Sequence, residues 1–79
     1  MRMFCFHCRD GEDGGRLRAI HRPAHLDFVH ANAEHFVIVG PLKRSDGLII
    51  GSLLIVKAED EAAARAILAE DPYLTGGVW

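Results

Sequence analysis

The sequence contains no apolar run that approaches the roughly 20 residues a membrane-spanning helix needs. The mostly apolar stretch after Met1-Arg2 is too short for a secretory signal, and no small-residue cleavage site follows it. These absences make a soluble chain the expectation, with the cytoplasm as its default address and no membrane among its partners. A basic excess is missing as well: 9 Lys and Arg stand against 11 Asp and Glu, for a net charge of -2. The basic residues are scattered, so the positive stripe that grips a phosphate backbone is lacking and nucleic acid is not an expected partner. Cysteine is scarce, and its two copies frame Cys5-Phe6-His7-Cys8. Redox pairs of that spacing sit at helix N-termini, whereas Met3–Cys8 reads as a strand, on which residues three apart point to opposite faces. A structural zinc site would need two further ligands, and no second pair exists. His21 and His25 stand four apart, a metal-ligand spacing, but the glutamate and third ligand of a zinc-protease motif are missing, and His7, His30 and His35 add no pattern. Neither a metal nor a cofactor is expected.

What is present is the composition of a globular chain, 49% hydrophobic and 25% charged. The whole chain, residues 1–79, makes one domain. A chain of this length buries only roughly 60–65% of its unfolded surface, so its core would be marginal without help from a partner subunit.

Along the chain, Met3–Cys8 is an almost continuous apolar run that suits a central strand covered on both faces. Arg9–Gly15 is a loop by its glycines and charge, and Arg16–His21 a short helical lead-in. Pro23, acceptable in a first helical turn, opens a helix that runs to about Ala33. Leu26, Val29 and Ala33 form one face of it, for the sheet; Ala24, Phe28 and Ala31 form another, for a subunit or ligand. Phe36–Val39 is a second strand closed by Gly40-Pro41, and Leu48–Val56 a third, joined to it by a turn-rich hairpin at Lys43–Gly47. Gly51, inside a strand pattern, implies a bulge or a close backbone approach. Asp60 caps a second helix, Glu61–Glu70, which must stop before Pro72. Gly76-Gly77-Val78-Trp79 reads as the opening of a strand that is not completed. The order β-α-β-β-α predicts an α+β, ferredoxin-like antiparallel sheet with two helices on one face. Its bare face invites a second copy related by two-fold symmetry.

Candidate chemistry centres on His25, an imidazole on the flank of a helix and able to titrate near neutrality. Asp71 would lie beside a helix C-terminus, where the dipole disfavours an acid by about 0.3–1 kcal/mol. A cationic or hydrogen-bonding partner removes that cost, and His25 is the partner expected. One reading makes the two a general base or acid with its orienting carboxylate; the plainer one is a partly buried histidine that bridges two elements. Arg22 is a candidate ligand-binding residue, Ser52 a hydrogen-bond donor to a ligand, and Tyr73 a cleft wall or core filler. Gly40-Pro41 sets a turn or offers amides to an oxyanion. No serine or cysteine has a claim to be a nucleophile.

Arg22-Pro23-Ala24-His25-Leu26, Gly40-Pro41, Gly51-Ser52, Asp71-Pro72-Tyr73 and Gly77-Val78, in that order, resemble the YCII-related (YciI-like) family along the whole chain. The resemblance implies a ferredoxin-like protomer, a homodimer of the dimeric α/β-barrel type, and a cleft with a histidine and an aspartate that map onto His25 and Asp71. One branch of the family is similar to a dehydrochlorinase of chlorinated hydroxyquinols. Members usually continue through a full last strand, which here would be truncated. Two functions follow as expectations. The first is a small cofactor-independent enzyme of lyase or hydrolase type, acting on a small cyclic or carbonyl compound through His25 and Asp71. The second is a non-catalytic dimeric module for small-ligand binding or assembly.

Overall fold

In the computed structural model, which describes residues 1–79, three strands, β1 (Arg2–Arg9), β2 (Phe36–Lys43) and β3 (Ile49–Ala58), form an antiparallel sheet in the order β1-β3-β2. The most continuously apolar strand of the sequence is therefore at an edge and not central. Its run of hydrophobic residues conceals an alternation: Phe4, Phe6 and Cys8 are half-buried, while Met3, Cys5 and His7 are exposed. β3 takes the centre because it is paired on both sides, Phe6 to Leu54 across one edge and Val39 to Leu54 across the other. Gly51 admits this pairing, since a side-chain carbon there would collide with the Cys8 carbonyl oxygen.

β2 continues through Gly40-Pro41 where a turn was expected. The proline is tolerated because β2 is an edge strand with no ladder partner on its outer side. The reversal comes at Arg44–Leu48, where Gly47 adopts φ +87° and the Asp46 carboxylate accepts from the Leu48 amide at 3.0 Å.

The first helix, α1, spans Gly14–Ala31 and absorbs the last two residues of the expected loop and the whole lead-in, so Pro23 lies inside it and does not open it. A mid-helix proline forfeits one helical hydrogen bond. Tertiary contacts offset the loss: Arg18, one turn into α1, bonds to Asp10 beyond β1 and to Gly51 and Ser52 on β3. Phe28 meets Phe36 edge to face at 5.9 Å, within the chain and not at a subunit or ligand, and Ala33 falls beyond the helix. α2 (Glu61–Leu68) begins as expected, with the Asp60 side chain accepting from the Ala63 amide, and stops two residues earlier than Glu70.

Leu54, Val56 and Ala58 from β3 pack with Ala64 and Leu68 of α2 as the buried core. Ser52 points the same way and is held by Arg18, so both helices share one face of the sheet, a ferredoxin-like α+β arrangement. The opposite face carries Met3, Cys5, Ile38, Leu53 and Ile55, with Met3 66% and Ile38 50% exposed.

Past α2 the chain forms a further short helix, α3 (Pro72–Thr75), which packs on α1. The expected final strand does not open. Gly77 takes φ +82°, and the amides of Val78 and Trp79 fold back on the Tyr73 carbonyl at 2.9 and 3.4 Å. Val78, fully buried, then accepts from the Gly11 amide at 2.8 Å, pinning the segment to the loop after β1.

Candidate active site

Arg18, Arg22, His25 and Val29 recur at four, three and four residues, which places them on one face of α1. That face overhangs β2 and β3 and leaves a cavity of about 390 Å³ between helix and sheet, closed at one end by Tyr73 of α3. Its walls are apolar at Leu26, Val29, Val39, Pro41 and Ile49. Its polar groups come from Arg18, Arg22, His25, Lys43, Ser52 and Tyr73.

His25 is 6% exposed and Asp71 is fully buried. The His25 Nδ1 lies 2.8 Å from Asp71 Oδ1, which also accepts from the Tyr73 amide at 2.9 Å. Asp71 therefore sits at an N-terminus and not only past a C-terminus: it caps α3, where an acid is favoured, so the dipole cost expected of it is offset locally. A carboxylate accepts only, so the network assigns the His25 proton to Nδ1 and the lone pair to Nε2. Nε2 has no hydrogen bond within the protein and is not sealed from solvent. The Tyr73 ring stacks on the imidazole at 3.9 Å and 5°, and Trp79 meets it edge-on at 6.4 Å. The ring is thus fixed in plane and direction by one carboxylate and two aromatics. Two atoms behind it, Asp71 Oδ2 and Trp79 Nε1, are buried without partners.

Arg18 is held as firmly. Its Nε and Nη2 donate to Asp10 at 2.6 and 2.8 Å, and Nη2 also reaches the Gly51 carbonyl at 2.9 Å and Ser52 Oγ at 2.8 Å. The guanidinium lies 5.0 Å from the centre of the Tyr73 ring. The Asp10 carboxylate, opposed by burial and aided by Tyr73, raises its pKa above the ordinary value, so it stays charged. Because Ser52 Oγ accepts from Arg18, its own proton is free for a ligand.

The candidates Arg22, Gly40, Pro41, Ser52 and Tyr73 all line this cavity with His25, and Asp71 stands behind the histidine. Arg18 and Lys43 line it too and escaped the sequence reading. The heptad step from Arg18 to His25, with Arg22 between, was the signal for the first; nothing local marked Lys43. Cys5 and Cys8 are free and on opposite faces, and burial, with Asp71 and Asp10 nearby, pushes the Cys8 thiol up to about 11. His21 packs over Gly76. No three His, Cys, Asp or Glu side chains converge on a point that could hold a metal ion, and no helix is long and apolar enough to cross a membrane.

The model of the YCII-related domain matches residues 1–79. No curated protein sequence matches the chain. Among solved structures, it is similar to 5-chloro-2-hydroxyhydroquinone dehydrochlorinase (TftG) from Burkholderia phenoliruptrix AC1100, in complex with 2,5-dihydroxybenzoquinone. The TM-score is 0.85 at 22% identity, over 98% of this chain and 84% of that one. At this identity the likeness is one of fold.

Proposed function

Because this chain belongs to the YCII-related family, we propose that it is a small enzyme doing cofactor-independent acid–base chemistry, of lyase or hydrolase type, on a small cyclic or carbonyl compound. His25 is the base. Its Nε2 lone pair takes a proton from an acidic carbon or hydroxyl of the compound in the cavity. Asp71 holds the ring in the required tautomer and faces the imidazolium that forms. Where a leaving group sits beside the carbon losing its proton, the electron pair of the broken C–H bond expels it as an anion, and the imidazolium returns the proton to solvent. The dehydrochlorinase with a similar fold is named for such an elimination. The observation that carries the reading is the 2.8 Å contact of His25 Nδ1 with Asp71, which leaves Nε2 unpartnered at the cavity.

The reading includes a homodimer. The sheet face opposite the helices leaves Met3, Cys5 and Ile38 exposed, and a second copy would cover it. Sedimentation at micromolar concentration is expected to give a dimer mass, and a monomer would remove this part.

The test of the base is the imidazole ¹⁵N spectrum of the protein above neutral pH, where His25 should carry its proton on Nδ1. Asp71→Asn should disturb that preference. Chloride release from chlorinated hydroxyquinols, assayed alongside, should stop in His25→Gln. A His25 protonated on Nε2 in the native protein would end the proposal and leave a dimeric binding or assembly module.

A further inference from the structure

The cavity has charge of one sign. Arg18, Arg22 and Lys43 line it with His25, and no aspartate or glutamate does. Asp10 compensates Arg18 from behind, outside the cavity wall. Arg22 and Lys43 have no ion pair or hydrogen-bonded carboxylate anywhere in the chain. Two uncompensated cations thus stand at the mouth of a slot whose walls are Leu26, Val29, Val39, Pro41 and Ile49. A low-dielectric wall beside unpaired charge focuses the field into the slot.

The fixed guanidinium adds direction to this field. Arg18 spends Nε and Nη2 on Asp10, Gly51 and Ser52, with the Tyr73 side chain beside the guanidinium, while Nη1 takes part in none of those four bonds and is not sealed from solvent. It is a donor already oriented, so little rotamer freedom is lost when it meets an acceptor. The Ser52 hydroxyl proton is a second donor beside it. Both lie in the wall that His25 shares, so an oxyanion held there would set the ring of its bearer against the His25 Nε2.

We infer that the cavity selects an organic oxyanion on a planar, single-ring body, a carboxylate or an enolate or phenolate, with Arg18 and Ser52 as its anchor and Arg22 and Lys43 as the charges that discriminate it from neutral analogues. This deepens the acid–base reading of the same site and names the class of compound it takes. A cavity of about 390 Å³ lies at the small end of the ~300–1,000 Å³ usual for ligand sites, which suits one ring and not two. The same cations would also steady the negative charge that appears when a base removes a proton from such a ring.

The inference is tested by binding, without chemistry, using matched pairs that differ in charge and little in shape. Benzoate against benzamide probes a carboxylate, and 2,4-dinitrophenolate against 2,4-dinitroanisole probes a phenolate. Each is titrated into the full-length protein at neutral pH and low salt and followed by backbone amide shifts. At least one anion should bind about tenfold or more tightly than its neutral partner, through shifts at Gly40, Ser52 and Tyr73, with an advantage that shrinks as salt rises. The anion that wins names the chemistry. In Arg22→Gln/Lys43→Gln, whose substitutions are at exposed and unpaired side chains, the advantage should fall below about threefold while the amide spectrum stays folded. Equal binding of anion and neutral partner in both pairs, shifts outside the cavity, or an advantage that survives the double substitution would overturn the inference. The ¹⁵N tautomer measurement reads the base independently, so either claim can fail while the other stands.

Discussion

The ion pair between Asp10 and Arg18 gives a decisive perturbation, because it holds the start of α1 to the sheet and aims the guanidinium at the cavity. Its side chains are 6% and 12% exposed. Asp10→Asn keeps the shape and removes the charge, leaving the guanidinium among neutral acceptors, the Gly51 carbonyl and Ser52 Oγ. Breaking a buried pair on one side costs about 3–5 kcal/mol, since an uncompensated charge remains. A domain of this length has about 4–12 kcal/mol in total, so the loss is a large fraction of the whole. With a urea slope of about 1–3 kcal/mol per molar for small proteins, the midpoint should fall by about 1–5 M. Glu61→Gln is the control: its partner Arg65 is 66% exposed, and an exposed pair at that helical spacing is worth about 0.3–0.5 kcal/mol. Arg18→Met/Asp10→Asn should lose less than its two single variants together, by roughly 0.5–3 kcal/mol of coupling. If Asp10→Asn moves the midpoint no further than Glu61→Gln, or the cycle is additive, the account of how α1 is anchored is wrong.

Gly51→Ala forces a methyl group onto the Cys8 carbonyl; strand β1 must shift, a loss of about 1–3 kcal/mol measurable by urea unfolding, and a neutral result would mean the β1–β3 pairing differs from that described. The two cysteines should separate under iodoacetamide at pH 8: a rise from 9.0 to about 11 lowers the Cys8 thiolate fraction about hundredfold, so peptide mapping should find Cys5 modified first, and equal rates would refute the burial of Cys8. The same shift gives stability a sign. Below the unfolded value both states hold the proton and the thiol contributes nothing; from about 9.0 to about 11 only the folded state retains it, so stability falls as pH rises through that window, and Cys8→Ala should flatten this decline in thermal melts. Asp60→Ala, which removes the acceptor 2.8 Å from the Ala63 amide, should cost about 1 kcal/mol, with the loss of α2 helicity visible by circular dichroism.

Much of this architecture is written in short stretches of sequence. Asp60 caps α2 through a neighbour three residues on, Gly47 supplies the left-handed backbone of the β2–β3 turn, and the apolar residues of β3 alternate between core and open face. Each signal acts between residues close along the chain, so it survives removal of the rest of the fold. His25, Asp71, Arg22, Gly40, Pro41, Ser52 and Tyr73 were also singled out from sequence, as residue types and from family resemblance, and the structure gathers them around one cavity. The chemistry assigned to them is a proposal that rests on that gathering.

Other features were decided only by contacts between distant segments. Pro23 reads locally as a helix start, yet Arg18 ties the preceding turn to Asp10 and to β3, and the helix begins at Gly14. The run Gly76–Trp79 reads as a strand, yet Val78 is worth more buried and bonded to Gly11 than extended along the sheet. Arg18 and Lys43 become cavity residues only when α1 is laid across β2 and β3. Local propensity amounts to fractions of a kcal/mol per residue, whereas a buried charge pair or a fully buried valine is worth one to several kcal/mol, by rough measure, so where the two disagree the tertiary contact prevails.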